Sequence, residues 1–377
     1  MPHNGVALQQ ATGLHWICLA VGVAAPGFAI AQTVVAPLCK VHGMKTCHMK
    51  HTRPPSAAGN ALGPMQARAF LHGIRLRSGQ VLATALTAMA LALSTLPTVE
   101  AQPLQPSALV APVSKERHVG KVVLVQLVTP DLAVAKRFYG GLFGWRFRDL
   151  QLGGDDYSEA FLDGQFVAGL LHKAVASGER RQSSWLTFLS VADVDAARSL
   201  AVAHGAKVLL APHTIPGRGR EAVLADPQGA VFAVLASSAG DPPDEMADPG
   251  EWIWSSLSTP DPEANAGFYQ TLFGYEVFEL PADEGARHLM LASDNYARAS
   301  ANPLPSNRPD GRPYWLNYIH VEDVAAMSAK VISLGGRVLV EPRMDRHGGK
   351  VAIVADPLGA PFGLLEWPDE QSKELTK

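Results

Sequence analysis

The chain repeats itself. Thr129-Pro130-Asp131 returns as Thr259-Pro260-Asp261, 130 residues later, and the echo runs on without insertion to the end of the chain. Phe138-Tyr139 matches Phe268-Tyr269, Leu142-Phe143-Gly144 matches Leu272-Phe273-Gly274, and Trp185-Leu186 matches Trp315-Leu316. Asp226-Pro227 and Gly229 match Asp356-Pro357 and Gly359. A solenoid unit spans roughly 20 to 50 residues. A far longer period, filled with both strand and helix patterns, requires a whole domain duplicated in tandem. It also lets each chemical position be read twice.

Each copy alternates two patterns. An alternating strand (Val123, Val125 and Leu127 on one face; Leu124, Gln126 and Val128 on the other) leads into Thr-Pro-Asp, whose Asp is placed to cap a helix. Phe138, Tyr139, Leu142 and Phe143 follow at helical spacing, and Gly144 ends the helix. Three short strands come next, and then the pattern restarts from Trp185, with Asp193 opening the second helix and Asp226-Pro227-Gln228-Gly229 forming a turn between the last two strands. Each copy therefore reads βαβββ–βαβββ.

Charge and cysteine separate this body from what precedes it. Only seven of the 32 Lys/Arg and one of the 35 Asp/Glu lie before residue 102, so the rest holds 25 basic against 34 acidic residues. An acidic body without a basic stripe excludes nucleic acid as a partner. Cys18, Cys39 and Cys47 all precede residue 102, so the duplicated region has neither a disulfide framework nor a cysteine nucleophile.

Residues 65–101 read as a signal peptide of the Sec type: Arg68, Arg75 and Arg77, an apolar run from Val81 to Leu96, then Val99-Glu100-Ala101. The run is shorter than the roughly 20 residues of a membrane span, so cleavage after Ala101 is expected to leave no stable span and to deliver the protein to the periplasm or outside. Residues 1–64 are expected to be an unstructured extension, with Met65 as an alternative translation start. Within them Cys39, His42, Cys47, His48 and His51 form a soft-metal-like cluster that fits no recognised zinc spacing. The remaining expected boundaries are a linker at 102–117, a first domain at 118–238, a linker at 239–249, a second domain at 250–368 and a tail at 369–377.

The motifs TPDLAVAKRFYGGLFGW and TPDPEANAGFYQTLFGY, with WLTFLSVADVDAA, ADPQGAVFAVL, WLNYIHVEDVAA and ADPLGAPFGLLEW, resemble the vicinal oxygen chelate superfamily. That group includes glyoxalase I, extradiol dioxygenases and bleomycin-binding proteins. The resemblance implies an α+β fold with two tandem glyoxalase-like domains, each a pair of βαβββ units forming a cupped mixed sheet. It also implies a divalent metal held by His and Glu on the cup faces, acting as a Lewis acid.

Counting from the matching motifs puts those ligand positions at Leu124, Leu186 and Ala233 in the first copy, and at Trp254, Leu316 and Gly363 in the second. None can bind a metal, so neither metal nor other cofactor is expected. Glu366 lies three residues past Gly363, on the other strand face. The cup-facing residues implied are Gln126, Phe188 and Ser190 in the first copy and Trp254, Ser256, Tyr318 and His320 in the second, a lining suited to a flat organic ligand held by few hydrogen bonds. His320 is the candidate for any catalysis. Loops carrying His213, Arg218 and Arg220, and Arg343, Arg346 and His347, could rim the cups and attract an anion.

The expected function is an exported, metal-free binder of a small organic molecule. The alternatives are a metal-dependent lyase or dioxygenase of the same superfamily, and an envelope interaction protein whose cups are filled. Whether the domains pair within one chain or across a homodimer is left open by the sequence.

Overall fold

The structure, a computed structural model, describes residues 104–175, 182–280, 287–304, 311–345 and 349–367. The extension, signal peptide and Cys/His cluster expected before residue 102 lie outside these residues.

The first copy runs β1 (Val122–Thr129), α1 (Leu132–Phe143), β2 (Arg146–Leu152), β3 (Asp155–Leu162) and β4 (Gln165–His172). It continues with β5 (Ser184–Ser190), α2 (Val194–Ala203), β6 (Lys207–Ile215), β7 (Gly219–Ala225) and β8 (Val231–Ser237). The second copy repeats this: β9 (Trp252–Thr259), α3 (Pro262–Phe273), β10 (Glu276–Leu280), β11 (His288–Ser293), β12 (Tyr296–Pro303), β13 (Tyr314–His320), α4 (Val324–Ser333), β14 (Arg337–Met344), β15 (Lys350–Ala355) and β16 (Pro361–Glu366).

Each copy is one eight-stranded mixed sheet. The strand orders, β2-β3-β4-β1-β5-β8-β7-β6 and β10-β11-β12-β9-β13-β16-β15-β14, are the same. Within a unit the first strand pairs parallel with the fourth, across the helix, and the two units meet along antiparallel β1–β5 and β9–β13. The helices are closed as the sequence dictates. Asp131, Asp193, Asp261 and Asp323 each accept a hydrogen bond from a first-turn backbone N–H. Gly144 and Gly274 take the left-handed conformation (φ 79° and 71°) that terminates α1 and α3.

The two domains of one chain pack back to back and share their cores. Leu189, Leu224, Phe232 and Val234 of domain 1 lie in one apolar cluster with Leu257, Phe268, Tyr269 and Leu291 of domain 2. Val125, Leu127, Phe138 and Leu170 lie in the reciprocal cluster with Ile319, Val354, Phe362 and Leu364.

The repeated motifs are spent on this interface. Trp185 Nε1 donates to Tyr139 Oη (3.1 Å), which donates across the interface to Asp356 Oδ2 (3.3 Å). Trp315, Tyr269 and Asp226 repeat the chain in the other direction, at 3.1 and 3.1 Å. Trp145 Nε1 donates to the Gly250 carbonyl (3.0 Å) and its counterpart Tyr275 to the Gly120 carbonyl (2.5 Å), while Thr187 meets Asn317 on the pseudo-twofold axis. Burial raises the carboxyl of Asp226, and that of Asp356 to about 6, against the pull of the backbone N–H groups they accept from. The same burial, reinforced by those carboxylates, pushes the Tyr139 and Tyr269 hydroxyls well up.

With the backs of both sheets occupied, the concave faces are left for chemistry. The segment 104–117, expected as a linker, lies against domain 1: Pro106 and Leu109 are buried, and Leu109 joins the apolar cluster of the first cup.

Candidate functional site

Period-two alternation sends Leu124, Gln126 and Val128 of β1, Leu186 and Phe188 of β5, Ala233 and Leu235 of β8 and Glu221 and Val223 of β7 into the first cup. At one end Leu109 packs with Leu124, Leu186, Phe188 and Ala233. Beyond this plug a cavity of about 320 Å³ remains, walled by Gln126, Val128, Leu186, Phe188, Glu221 and Val223, with Asp155 and the end of β6 among its further wall residues.

A polar band crosses this apolar cup. Gly169 is the register partner of Gln126. A Cβ there would stand 2.0 Å from Tyr157 Oη and 3.3 Å from Gln126 Oε1, so the glycine is what lets the tyrosine hydroxyl sit over the sheet beside the amide. From the β6–β7 turn Arg218 reaches across. Its Cζ stands 4.5 Å from the Phe166 ring centre, and its Nη2 donates to Glu159 Oε1 at 2.7 Å. Arg218 is only 2 % exposed, and its Nε and Nη1 have no partner. Glu159, wholly buried, also accepts from Arg148 Nε (3.2 Å) and from the N–H (2.7 Å) and hydroxyl (3.0 Å) of Ser107.

Glu221 lies on the next face-sharing position. Burial pushes its carboxyl up to about 7, with the Arg218 charge pulling the other way. His213 Nε2 stands 3.5 Å from Glu221 Oε1, and its Nδ1 lies 3.2 Å from the Ala211 carbonyl, which fits a proton on Nδ1. Tyr157 is raised mainly by burial, with Arg218 opposing.

The Glu221 shift carries a stability signature. Between the unfolded value of 4.5 and about 7 the folded state holds a proton that the unfolded chain has released. Stability therefore falls as pH rises through that window, by about 3 kcal/mol in all at about 1.4 kcal/mol per unit. Glu221→Gln is expected to remove this component. Urea titrations at pH 5 and 7.5 should show a steeper loss in the parent than in the variant, since Asp226 and Asp356 titrate in both; equal losses would contradict the assignment.

The metal implied by the fold does not fit the residues present. Leu124, Leu186 and Ala233 lie in a single apolar cluster and offer no donor atom. In the second cup Trp254 and Leu316 are likewise packed with apolar neighbours. At Gly363 a Cβ would stand 1.9 Å from Tyr318 Cδ1, so the tyrosine ring occupies the space where a ligating side chain would begin. Among the described residues no three His, Cys, Asp or Glu side chains come together in a metal-holding group. Glu366 caps α4, accepting from the Val324 N–H (3.1 Å) and from Lys350 (2.8 Å).

Gln126 and Phe188 thus line the first cavity together. Ser190 does not: its hydroxyl donates to Asp241 Oδ2 (2.5 Å), fastening domain 1 to the inter-domain segment. Its counterpart His320 does the same for domain 2, with Nδ1 2.8 Å from the Ala247 carbonyl, and forms no ion pair with a carboxylate among the described residues. Trp254, Ser256 and Tyr318 do lie together in the second cup. Their neighbours there bond among themselves: Trp254 Nε1 to Ser300 Oγ (3.3 Å), and Asn302 Nδ2 to Ser256 Oγ (2.6 Å), with His288 Nδ1 2.9 Å from Asn302 Oδ1. A smaller hollow of about 200 Å³ beside Trp254 and Tyr296 has its cations committed, since Lys121 and Arg298 both pair with Asp244. Arg220, expected at the rim, pairs with Asp195 of α2 at 2.6 Å.

Paired βαβββ units in two successive sheets with a shared back define a tandem cup-fold protein. Comparison with known proteins assigns the class. Residues 120–234 match the model of the Glyoxalase/Bleomycin resistance protein/Dioxygenase superfamily, and residues 254–365 match that of the Glyoxalase-like domain. The chain is 31 % identical over 265 residues to "Putative glyoxylase CFP32" of Mycobacterium tuberculosis, covering 69 % of this chain and 100 % of the relative. It is 30 % identical over 257 residues to "Anthracycline biosynthesis protein DauV" of Streptomyces sp. (strain C5), covering 64 % of this chain and 90 % of the relative. Among solved structures, the Mn(II)-bound glyoxalase from Novosphingobium aromaticivorans aligns over 67 % of this chain and 84 % of its own, with TM-score 0.47 and 19 % identity. The chain belongs to the glyoxalase/bleomycin resistance protein/dioxygenase superfamily.

Proposed function

We propose that this is an exported protein that binds a flat small organic molecule in its first cup, without a metal. The observation that carries this reading is the pairing of two facts in one cup: an apolar cavity of about 320 Å³ with a few converging polar groups, and hydrocarbon at each position where the resemblance places a metal ligand. The name of the DauV relative, anthracycline biosynthesis, adds support, since anthracyclines are flat fused-ring molecules. Export is supported by the apolar run Val81–Leu96 behind three arginines.

Thermal-shift screening with flat aromatic metabolites tests the binding. A ligand at 100 times its Kd stabilises by about 2.7 kcal/mol and must raise the melting temperature. Val128→Phe, which projects a ring into the cavity, is expected to abolish the shift. A panel that leaves the parent protein unshifted, or shifts it and the variant alike, overturns the first-cup assignment. For export, the native protein is expected to begin at Gln102; a mature chain that retains residues 65–101 would contradict it.

A further inference from the structure

We infer that the ligand of the first cup carries a neutral hydrogen-bond donor, an N–H or O–H at the edge of its ring, and that the Glu221 carboxylate on the cavity wall receives it. This inference rests on the binding reading above and names the group by which the ligand is held.

Glu221 lines the cavity with a side chain that is 9 % exposed. Among the described residues its carboxylate accepts no hydrogen bond, and its one ion-pair partner is His213, which faces it across β6 and β7 with Nε2 3.5 Å from Oε1. That neighbour offers the carboxylate no hydrogen. His213 Nδ1 lies against the Ala211 carbonyl, and a proton there leaves a lone pair on Nε2. A carboxylate drawn out of water without donors is destabilised. Glu159, buried in the same sheet, shows the alternative: it accepts from Ser107, Arg148 and Arg218. The fold thus supplies donors to the carboxylate away from the cavity and withholds them from the one on its wall. The upward push on Glu221, to about 7, has the same origin, since desolvation is not offset by hydrogen bonds to the ionised form. A donor on the ligand would complete it.

The surrounding charges select a neutral donor. Glu221 is faced by His213 of β6, Arg218 of the β6–β7 turn and Tyr157 of β3, while β8 presents Leu235. Asp155, also on the cavity wall, is paired with Lys173. Arg148 and Arg218 share the single carboxylate of Glu159, so that trio keeps a positive charge, and it is Arg218 that acts on Glu221. An ammonium brought to Glu221 would meet that charge, and an anion would meet Glu221 and Asp155. A neutral N–H or O–H avoids both. Period-two alternation sets Val223 beside Glu221 on one strand face, so a ring lying on Val223, Leu186 and Phe188 brings its edge to the carboxylate.

Two probe pairs of nearly constant shape provide the test: indole with benzofuran, and 2-naphthol with 2-fluoronaphthalene. Their Kd values would be measured by equilibrium dialysis against the full chain at pH 8.0, where Glu221 is ionised. The parent protein is expected to favour the donor of each pair by about tenfold or more. Glu221→Gln, which keeps the shape and a neutral acceptor, should reduce the preference to about threefold or less, and Glu221→Leu should abolish it. At pH 5.5, where the carboxyl holds its proton, the parent should fall to the level of the Gln variant. Should the Leu variant fold poorly, the Gln variant and the pH comparison still decide. A preference confined to one pair supports the subsite and fixes the donor as N–H or O–H. Equal affinities within both pairs would overturn the donor subsite and leave the binding reading standing. A preference that survives Glu221→Leu would also overturn it, placing the acceptor elsewhere, with Gln126 as the other polar wall residue. Failure of all four probes overturns the subsite as stated, and failure of the metabolite panel as well would overturn both.

Discussion

Asp226→Ala is expected to destabilise the whole chain by about 3–5 kcal/mol. Its carboxylate accepts five hydrogen bonds: from the backbone N–H groups of Gln228 (3.0 Å), Gly229 (2.7 Å) and Ala230 (2.9 Å), and across the interface from Asn265 (2.9 Å) and Tyr269 (3.1 Å). The alanine removes the acceptor from a side chain that is 2 % exposed and leaves the Ala230 N–H, Asn265 and Tyr269 donors buried without it, while the Gly229 N–H keeps the main-chain carbonyl of residue 226. Asp356→Ala should cost less. The residue matching Asn265 in the first copy is Ala135, so the partner domain gives Asp356 only Tyr139. Tyr269→Phe should cost about 2 kcal/mol, because its hydroxyl both accepts from Trp315 Nε1 and donates to Asp226. Because both apolar clusters contain residues of both domains, calorimetry should show a single transition for the described body in the parent and in each variant. Separate melting of the two domains, or an Asp356 variant weaker than the Asp226 variant, would contradict the shared-core interface.

Gly363→Ala carries the second large effect, about 3 kcal/mol or more, at the upper end of overpacking costs. The added methyl would stand 1.9 Å from Tyr318 Cδ1 and 2.3 Å from Cε1. Neither ring nor strand can yield easily, since Tyr318 is wholly buried and pairs directly with Gly363 across β13 and β16. Adding Tyr318→Val should recover part of the loss, giving a non-additive double mutant whose coupling reports the contact. Denaturant titration of the four proteins checks this, and strictly additive losses would count against the contact. The consequence reaches function, because a ligating carboxylate cannot be restored at position 363 while Tyr318 is in place.

Much of the fold was legible because duplication, capping and alternation are local or periodic signals. Asp131 and Gly144 announce a helix, and the repeat announces it again at Asp261 and Gly274. The lack of ligating side chains at the six positions was legible for the same reason, since those positions are counted from motifs. What escaped has contacts between remote residues. Tyr139 and Asp356 are 217 residues apart, so the motif aspartate read as a turn residue, when its second oxygen serves the other domain. Ser190 and His320 follow the cup-facing alternation. They fall at strand ends, where Asp241 and Ala247 of the inter-domain segment take their polar atoms. Glu159, Arg218 and Glu221 come from β3, a turn and β7, a dispersion that leaves no spacing to recognise. In the sequence, the loops holding His213, Arg218 and Arg220, and Arg343, Arg346 and His347, were legible only as clustered charges.

The proposed function turns on the first cup binding its ligand without a metal. Metal loading tests it most directly. The full chain, with Cys39, His42, Cys47, His48 and His51 replaced by alanine so that the leader cluster cannot contribute, would be incubated in turn with manganese, iron(II), nickel and zinc ions. After desalting, its metal content would be determined by elemental analysis. The account predicts well below one ion per chain for every metal; one tightly held ion per chain would contradict it.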